Sequence, residues 1–129
     1  MTVNNWNSLR AILLYFEPSI MRMILEVLQL EGYEVLAVRT AGEAFSLLAD
    51  GREQLGTTVV IMDNLQVHDE GQAFLEDIRN KPTLHDHVIL ICSAIQANCD
   101  AARQKYGDVL DRYLVMPFTV SSLLAVLEH

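Results

Sequence analysis

The sequence predicts an α/β protein, a parallel sheet with helices packed on both of its faces. Three observations carry that expectation. Apolar runs alternate with helix-like stretches five times along the 129 residues. Two of the runs, "TTVVIMD" and "HVILICSA", are apolar almost throughout. A half-exposed strand would alternate, so such runs belong to strands buried on both faces. Residues that start or stop helices then fall between the runs, which sets the βα rhythm.

The elements follow in chain order. Residues 11 to 16, "AILLYF", form the first strand, and Glu17-Pro18 opens a helix with Pro in its first turn, where a missing N–H costs nothing. That helix runs from about Pro18 to Glu31 and ends at Gly32, a natural C-cap. "YEVLAV" alternates as a second strand, Thr40 caps the helix "AGEAFSLLAD", and Gly51 stops it. "TTVVIMD" is the third strand, and "GQAFLEDIRN" is an amphipathic helix that ends before Pro82. "HVILICSA" is the fourth strand, followed by the helix "NCDAARQKYG" with Gly107 as its cap. "DRYLVMPF" is the fifth strand, and Thr119 caps the last helix, "TVSSLLAVL". Right-handed crossovers would place these helices on both faces of one sheet.

Composition narrows the function classes. Half of the residues are hydrophobic and a fifth are charged, as in an ordinary globular domain, and the length fits one domain over residues 1–129. The formal net charge is −8 and the nine Lys and Arg are scattered, which argues against nucleic acid, since neutralising phosphates takes a basic surface. Partners are therefore expected to be proteins or small molecules. Cys92 and Cys99 lie in a hydrophobic run and a polar helix-like stretch, the pattern of free thiols in a reducing compartment. No apolar stretch approaches the ~18 to 20 residues of a membrane span, and the start lacks the pattern of a signal peptide, so a cytoplasmic location is expected. Residues 1–9 are expected to be a flexible leader, and the ending at 127–129, "LEH", either a helix end or the remnant of a tag.

In open α/β sheets ligands gather at the carboxyl ends of the strands. The residues there are Tyr15, Phe16 and Glu17, then Asp63, Ser93 and Met116-Pro117. Their order and spacing resemble the receiver domain of bacterial two-component response regulators over nearly the whole chain. The likeness rests on "RAILLYFEP", "VVIMDNLQVHDEG" with its Gly after the aspartate, "VILICSA" and "RYLVMPFT". It implies a flavodoxin-like (βα)5 three-layer sandwich with strand order 2-1-3-4-5. It also implies that Asp63 stands at the phosphoacceptor position, that Ser93 contacts the phosphoryl group, and that Tyr113 is the aromatic of the switch.

The departures fall on the chemistry. Tyr15 and Phe16 stand where the family has its acidic metal pair, and Met116 stands where it has its lysine. Phosphoryl transfer depends on meeting negative charge with metal and basic groups. Losing one well-placed donor typically costs ~2.7 to 4 kcal/mol of transition-state stabilisation, so the retained carboxylate does not compensate. Glu17 is the one residual acid beside the site, and Mg²⁺ is not expected as a cofactor, since it demands near-octahedral oxygen ligands. Each residue also has a plainer role: Tyr15, Phe16 and Met116 as apolar filling, Asp63 as a turn cap, Ser93 as a local hydrogen-bonding group. The pair His85 and His87 lacks an obvious third ligand, and His68, Asp69 and Glu70 read as a polar loop entering a helix at Gly71.

The resulting expectation is an atypical, degenerate receiver domain of phosphorelay signalling, acting mainly as a protein-interaction module and not as an enzyme. Its expected partners are a histidine kinase, a phosphotransfer protein or an attached effector domain, with dimerisation a further expectation and no membrane or nucleic-acid contact. The alternative is a working phosphoacceptor phosphorylated on Asp63 by a histidine kinase. An FMN-binding or enzymatic role ranks behind both, because the strand ends carry neither a phosphate-binding loop nor a nucleophile–base pair. A docking surface is expected on the first helix. Its apolar arc is wider than a sheet-packed helix needs, which leaves Met21 and Leu25 either exposed or covered by the last helix.

Overall fold

Five parallel strands in the order β2-β1-β3-β4-β5 form one sheet. The computed structural model describes residues 9–14, 17–50, 58–63 and 69–128. The strands are β1 (Leu9–Leu14), β2 (Tyr33–Val38), β3 (Thr58–Asp63), β4 (Val88–Ile95) and β5 (Arg112–Met116). Between and after them lie α1 (Pro18–Leu30), α2 (Ala41–Asp50), α3 (Asp69–Asn80), α4 (Gln96–Tyr106) and α5 (Val120–Glu128). This is the flavodoxin-like (βα)5 arrangement that the sequence predicts, in the predicted strand order. No helix among the described residues is long and apolar enough to cross a membrane.

Side chains alternate across the pleat, so each strand feeds two cores. Ile12 and Leu14 of β1, Val60 and Met62 of β3, and Leu90 and Cys92 of β4 face a cluster that includes residues of α2, α3 and α4. Ala11, Leu13, Val59, Ile61 and Ile91 face the opposite cluster, closed by Ile24 and Leu28 of α1 and Leu123 of α5. Strands β1, β3 and β4 are buried over most of their length, whereas the edge strand β2 is only partly covered. The runs that are apolar throughout are therefore the interior strands, as their composition demands.

The helix ends are set locally. Glu17 is the N-cap of α1, and its carboxylate accepts the Ser19 N–H at 2.9 Å. Gly32 follows the helix with φ +94°, a left-handed conformation that a side chain would strain. Thr40 accepts the Glu43 N–H through Oγ1 at 3.1 Å, while Glu43 reaches back to the Arg39 N–H at 3.1 Å, a variant of the capping box. Thr119 accepts the Ser122 N–H at 3.0 Å and so caps α5. At Gly107 a Cβ would meet the Arg103 carbonyl oxygen at 2.5 Å, so only glycine fits the end of α4.

Several boundaries differ from the sequence expectation. Leu9 is not leader but the first residue of β1, paired with Tyr33, and Arg10 beside it is also in the strand. A charged residue hides a strand start from an apolar pattern, yet Arg10 is buried, with its guanidinium donating to the Leu47 carbonyl at 3.0 Å. Asp69 and Glu70 are not a loop but the first turn of α3, where acids are favoured by the helix dipole. A 3₁₀ segment, Pro82–His87, precedes β4, and β4 continues through Ile95 directly into α4. The expectations for residues 1–8, Tyr15, Phe16, Gly51, His68 and His129 lie outside the described residues. Leu127 and Glu128 are within α5.

Candidate functional site

Asp63 ends β3 and Ser93 lies near the end of β4, and the two are register partners across that strand pair. Partners in a parallel pair point to the same face, so the carboxylate and the hydroxyl share one side of the sheet. It is the α1–α5 side, because Cys92 and Ala94, which flank Ser93, both face the other cluster. Asp63 is half-buried at the strand end. Ser93 is completely buried, and its Oγ has no hydrogen-bond partner among the described residues. A buried hydroxyl without a partner is unusual, since such groups normally hydrogen-bond.

Met116 is the last residue of β5, opposite Ile95 and half-buried, and the Met116-Pro117 peptide bond that follows is cis. It brings a thioether to the end of this edge strand. Tyr113 pairs with Cys92 and packs on the α4-side cluster, so it lies across the sheet from Ser93 and Asp63. Burial pushes its phenol up from the ordinary value, against the opposing influence of Arg103. The Arg103 guanidinium sits 4.2 Å from the ring centroid, an aromatic–cation contact that covers the ring.

Glu17 is occupied with its own helix. Besides the N–H bond, the Ser19 hydroxyl lies 2.8 and 2.6 Å from its two carboxylate oxygens, and these bonds hold the carboxyl below the ordinary range. Tyr15 and Phe16 belong to the undescribed residues, so the structure places Asp63, Ser93, Met116 and Glu17 at the strand ends and Tyr113 behind them. Of the two histidines singled out in the sequence, His85 bonds Asp111 through Nε2 at 2.8 Å, and the same Asp111 oxygen accepts the Leu90 N–H at 2.7 Å. The side chain of His87 lies outside the described atoms. Among the described residues no three acid, histidine or cysteine side chains gather around a point where one ion would sit.

Sequence reasoning missed one contact close to these strand ends. Glu70, in the first turn of α3, accepts the Ala41 N–H at 2.7 Å and so caps the neighbouring helix α2. The sequence shows an acid at a helix start, but nothing in it reveals that the N–H it satisfies belongs to a different helix.

Sequence comparison finds no matching family model and no matching curated protein. Solved structures are similar over most of the chain. The chemotaxis response regulator CheY4 of Vibrio cholerae superposes with a TM-score of 0.75 at 20% identity, covering 95% of this chain and 98% of that one. The signal receiver domain of an HD domain-containing protein from Pseudomonas fluorescens Pf-5 gives 0.71 at 23% identity, covering 95% and 85%. The N-terminal signal receiver domain of a two-component response regulator from Bacteroides fragilis gives 0.69 at 19% identity, covering 93% and 94%. With the strand order, the two-faced core and the strand-end constellation already in place, the chain has the fold of the CheY-like response regulator receiver domains.

Proposed function

We propose that this chain is an atypical receiver domain of phosphorelay signalling that acts mainly by binding other proteins. It is not an enzyme in this reading, and it does not take phosphate by the Mg²⁺-dependent route. The observation that carries the proposal is the state of the strand ends. Asp63 and Ser93 are retained side by side, while Met116 occupies the lysine position and the acid that follows β1, Glu17, is engaged by Ser19. Mg²⁺ binds through several oxygens in near-octahedral geometry, and among the described residues Asp63 and Ser93 are the oxygen side chains that the β3–β4 register brings together, short of that set. The charge that develops on a transferring phosphoryl group would meet neither metal nor ammonium. The described residues therefore do not fit the ion.

The expected partners are a histidine kinase, a phosphotransfer protein or an effector domain, recognised by a cytoplasmic domain that is free to dimerise. The acidic net charge supports protein partners over nucleic acid. The second reading, a working phosphoacceptor phosphorylated on Asp63 by a histidine kinase, draws its support from the Asp63–Ser93 register.

The two readings separate in one experiment. The protein is incubated with Mg²⁺ and acetyl phosphate, or with beryllofluoride, and its intact mass and Mg²⁺ titration are recorded. The expected result is an unmodified chain with no saturable Mg²⁺ response. Stoichiometric addition that disappears in Asp63→Asn would overturn the proposal and establish the second reading.

A further inference from the structure

Cys92 and Cys99 are the two cysteines of the chain, and both are fully buried. Cys92 belongs to β4 and faces the α4-side cluster, as does Ala94. Cys99 lies near the start of α4 and projects onto the same strip of strand. Its thiol donates to the Ala94 carbonyl at 3.3 Å and is also hydrogen-bonded to the Cys92 thiol. The two sulfurs are thus in contact across the joint between a strand and the helix that follows it without a loop.

Buried cysteines often serve as small apolar side chains, and that role would explain either residue alone. It does not explain why they meet. Nor does it account for the helix they meet under. Of the eleven residues of α4 only Cys99, Ala102 and Tyr106 are buried, and its N-cap, Ile95, offers no side-chain bond to the free N–H groups. A helix held by so little apolar contact opens locally at low free energy. Such opening would expose Cys99 while β4, paired on both sides, stays in place.

We infer that Cys92 and Cys99 form a peroxide-responsive dithiol that closes to an intrachain disulfide and fastens the start of α4 to β4. The chemistry balances with a hydroperoxide as oxidant. In the opened helix the Cys99 thiolate attacks the O–O bond of hydrogen peroxide, and the sulfur becomes a sulfenic acid as the other oxygen leaves as water. The Cys92 thiolate then attacks that sulfur and displaces hydroxide, which leaves as water with the released proton. In total two thiols and one peroxide give one disulfide and two waters. Closed, the site resists oxidation, because burial pushes the Cys99 thiol up and keeps it protonated. Both thiols lie in one buried cluster at the strand–helix joint, and the disulfide draws their sulfurs to ~2.05 Å as the first turn of α4 closes again. A reversible bond of this kind suits a reducing compartment, where lasting disulfides are rare.

The test uses the intact chain. After treatment with hydrogen peroxide, the protein is denatured in an alkylating reagent and weighed. The expected product is a monomer lighter by two hydrogens and unalkylated, returned to two alkylated thiols by dithiothreitol. Amide exchange through the first turns of α4 should slow by about tenfold or more in the oxidised form. Cys92→Ala should divert Cys99 to oxygen adducts, and Cys99→Ala should leave Cys92 unoxidised; both changes are small enough to preserve the fold, which circular dichroism checks. Two thiols that still alkylate fully after peroxide, oxygen adducts in the unmodified sequence, or disulfide-linked dimers in place of the light monomer would each overturn the inference.

Discussion

Glu17 shows how a single side chain can look like a site residue and be used for something else. In the sequence it follows two aromatic residues at a strand end, where an acid suggests a cation. In the structure both of its oxygens are drawn to Ser19, and the carboxylate satisfies the free end of α1. Its carboxyl is held below the ordinary range by those bonds, so its contribution to stability is present above the unfolded carboxylate range and is lost as pH falls through the folded value. Glu17→Ala should accordingly lower the melting temperature at neutral pH and leave the response to Mg²⁺ unchanged. A variant whose Mg²⁺ response falls with its melt would show that the carboxylate is shared with an ion. The strand-end positions of Asp63 and Ser93 are legible in the sequence because each residue ends or nearly ends an apolar run, whereas their register pairing comes from the sheet. The bond from Ala41 to Glu70 and the burial of Arg10 are not legible either, because both depend on which elements become neighbours.

At the scale of the element, helix ends were the most readable feature, since a cap is made by residues only a few positions apart. Thr40, Thr119, Gly32 and Gly107 all occupy the positions that their chemistry suggests. Starts marked by charge, at Leu9 and Asp69, were read too late, because an apolar pattern cannot register an arginine that is buried by its stem or an acid that belongs to a first turn. The face of α1 was the open question. Ile24 and Leu28 are its buried ridge, while Met21 and Leu25 are half-buried and pack on the α1–α5-side cluster. The fully exposed apolar residue on this helix is Leu30, at 85%. Met21 and Leu25 are thus partly core, and replacing both with Gln should destabilise the fold by about 1 to 3 kcal/mol, the range for burying polar groups or losing apolar packing. Urea denaturation measures it. An unchanged midpoint together with lost self-association or partner capture would instead assign the two side chains to a docking patch.

The whole molecule rests on two cores separated by one sheet, and its response to pH is set on the acid side by exposed carboxylates and on the alkaline side by groups packed into those cores. On the acid side the two carboxyls held low, Glu17 by Ser19 and Asp108 by Arg79, stabilise the fold above the carboxylate range and cease to do so as they protonate. The Asp108 contact is the wider one. Arg79 of α3 bonds both Asp108 oxygens, at 2.9 and 2.7 Å, and the Lys105 carbonyl at 3.2 Å, so it ties the end of α3 to the end of α4. On the alkaline side the direction reverses. Cys99, Tyr33 and Tyr113 are all pushed up, in each case chiefly by burial. A group with its folded value above its unfolded value holds its proton more tightly in the native state. Its contribution is complete below the unfolded value and is lost as pH rises through the folded one. Stability should therefore hold steady at neutral pH and decline from about pH 8.5, where a cysteine thiol in an unfolded chain is half ionised, and more steeply near pH 10 as the tyrosines follow. Urea midpoints across this range test the expectation. In Cys99→Ala the first part of the decline should vanish while the steeper part remains. If the early decline persists without Cys99, then another group gives up its proton there, and the thiol is not the buried acid that limits the fold in alkali.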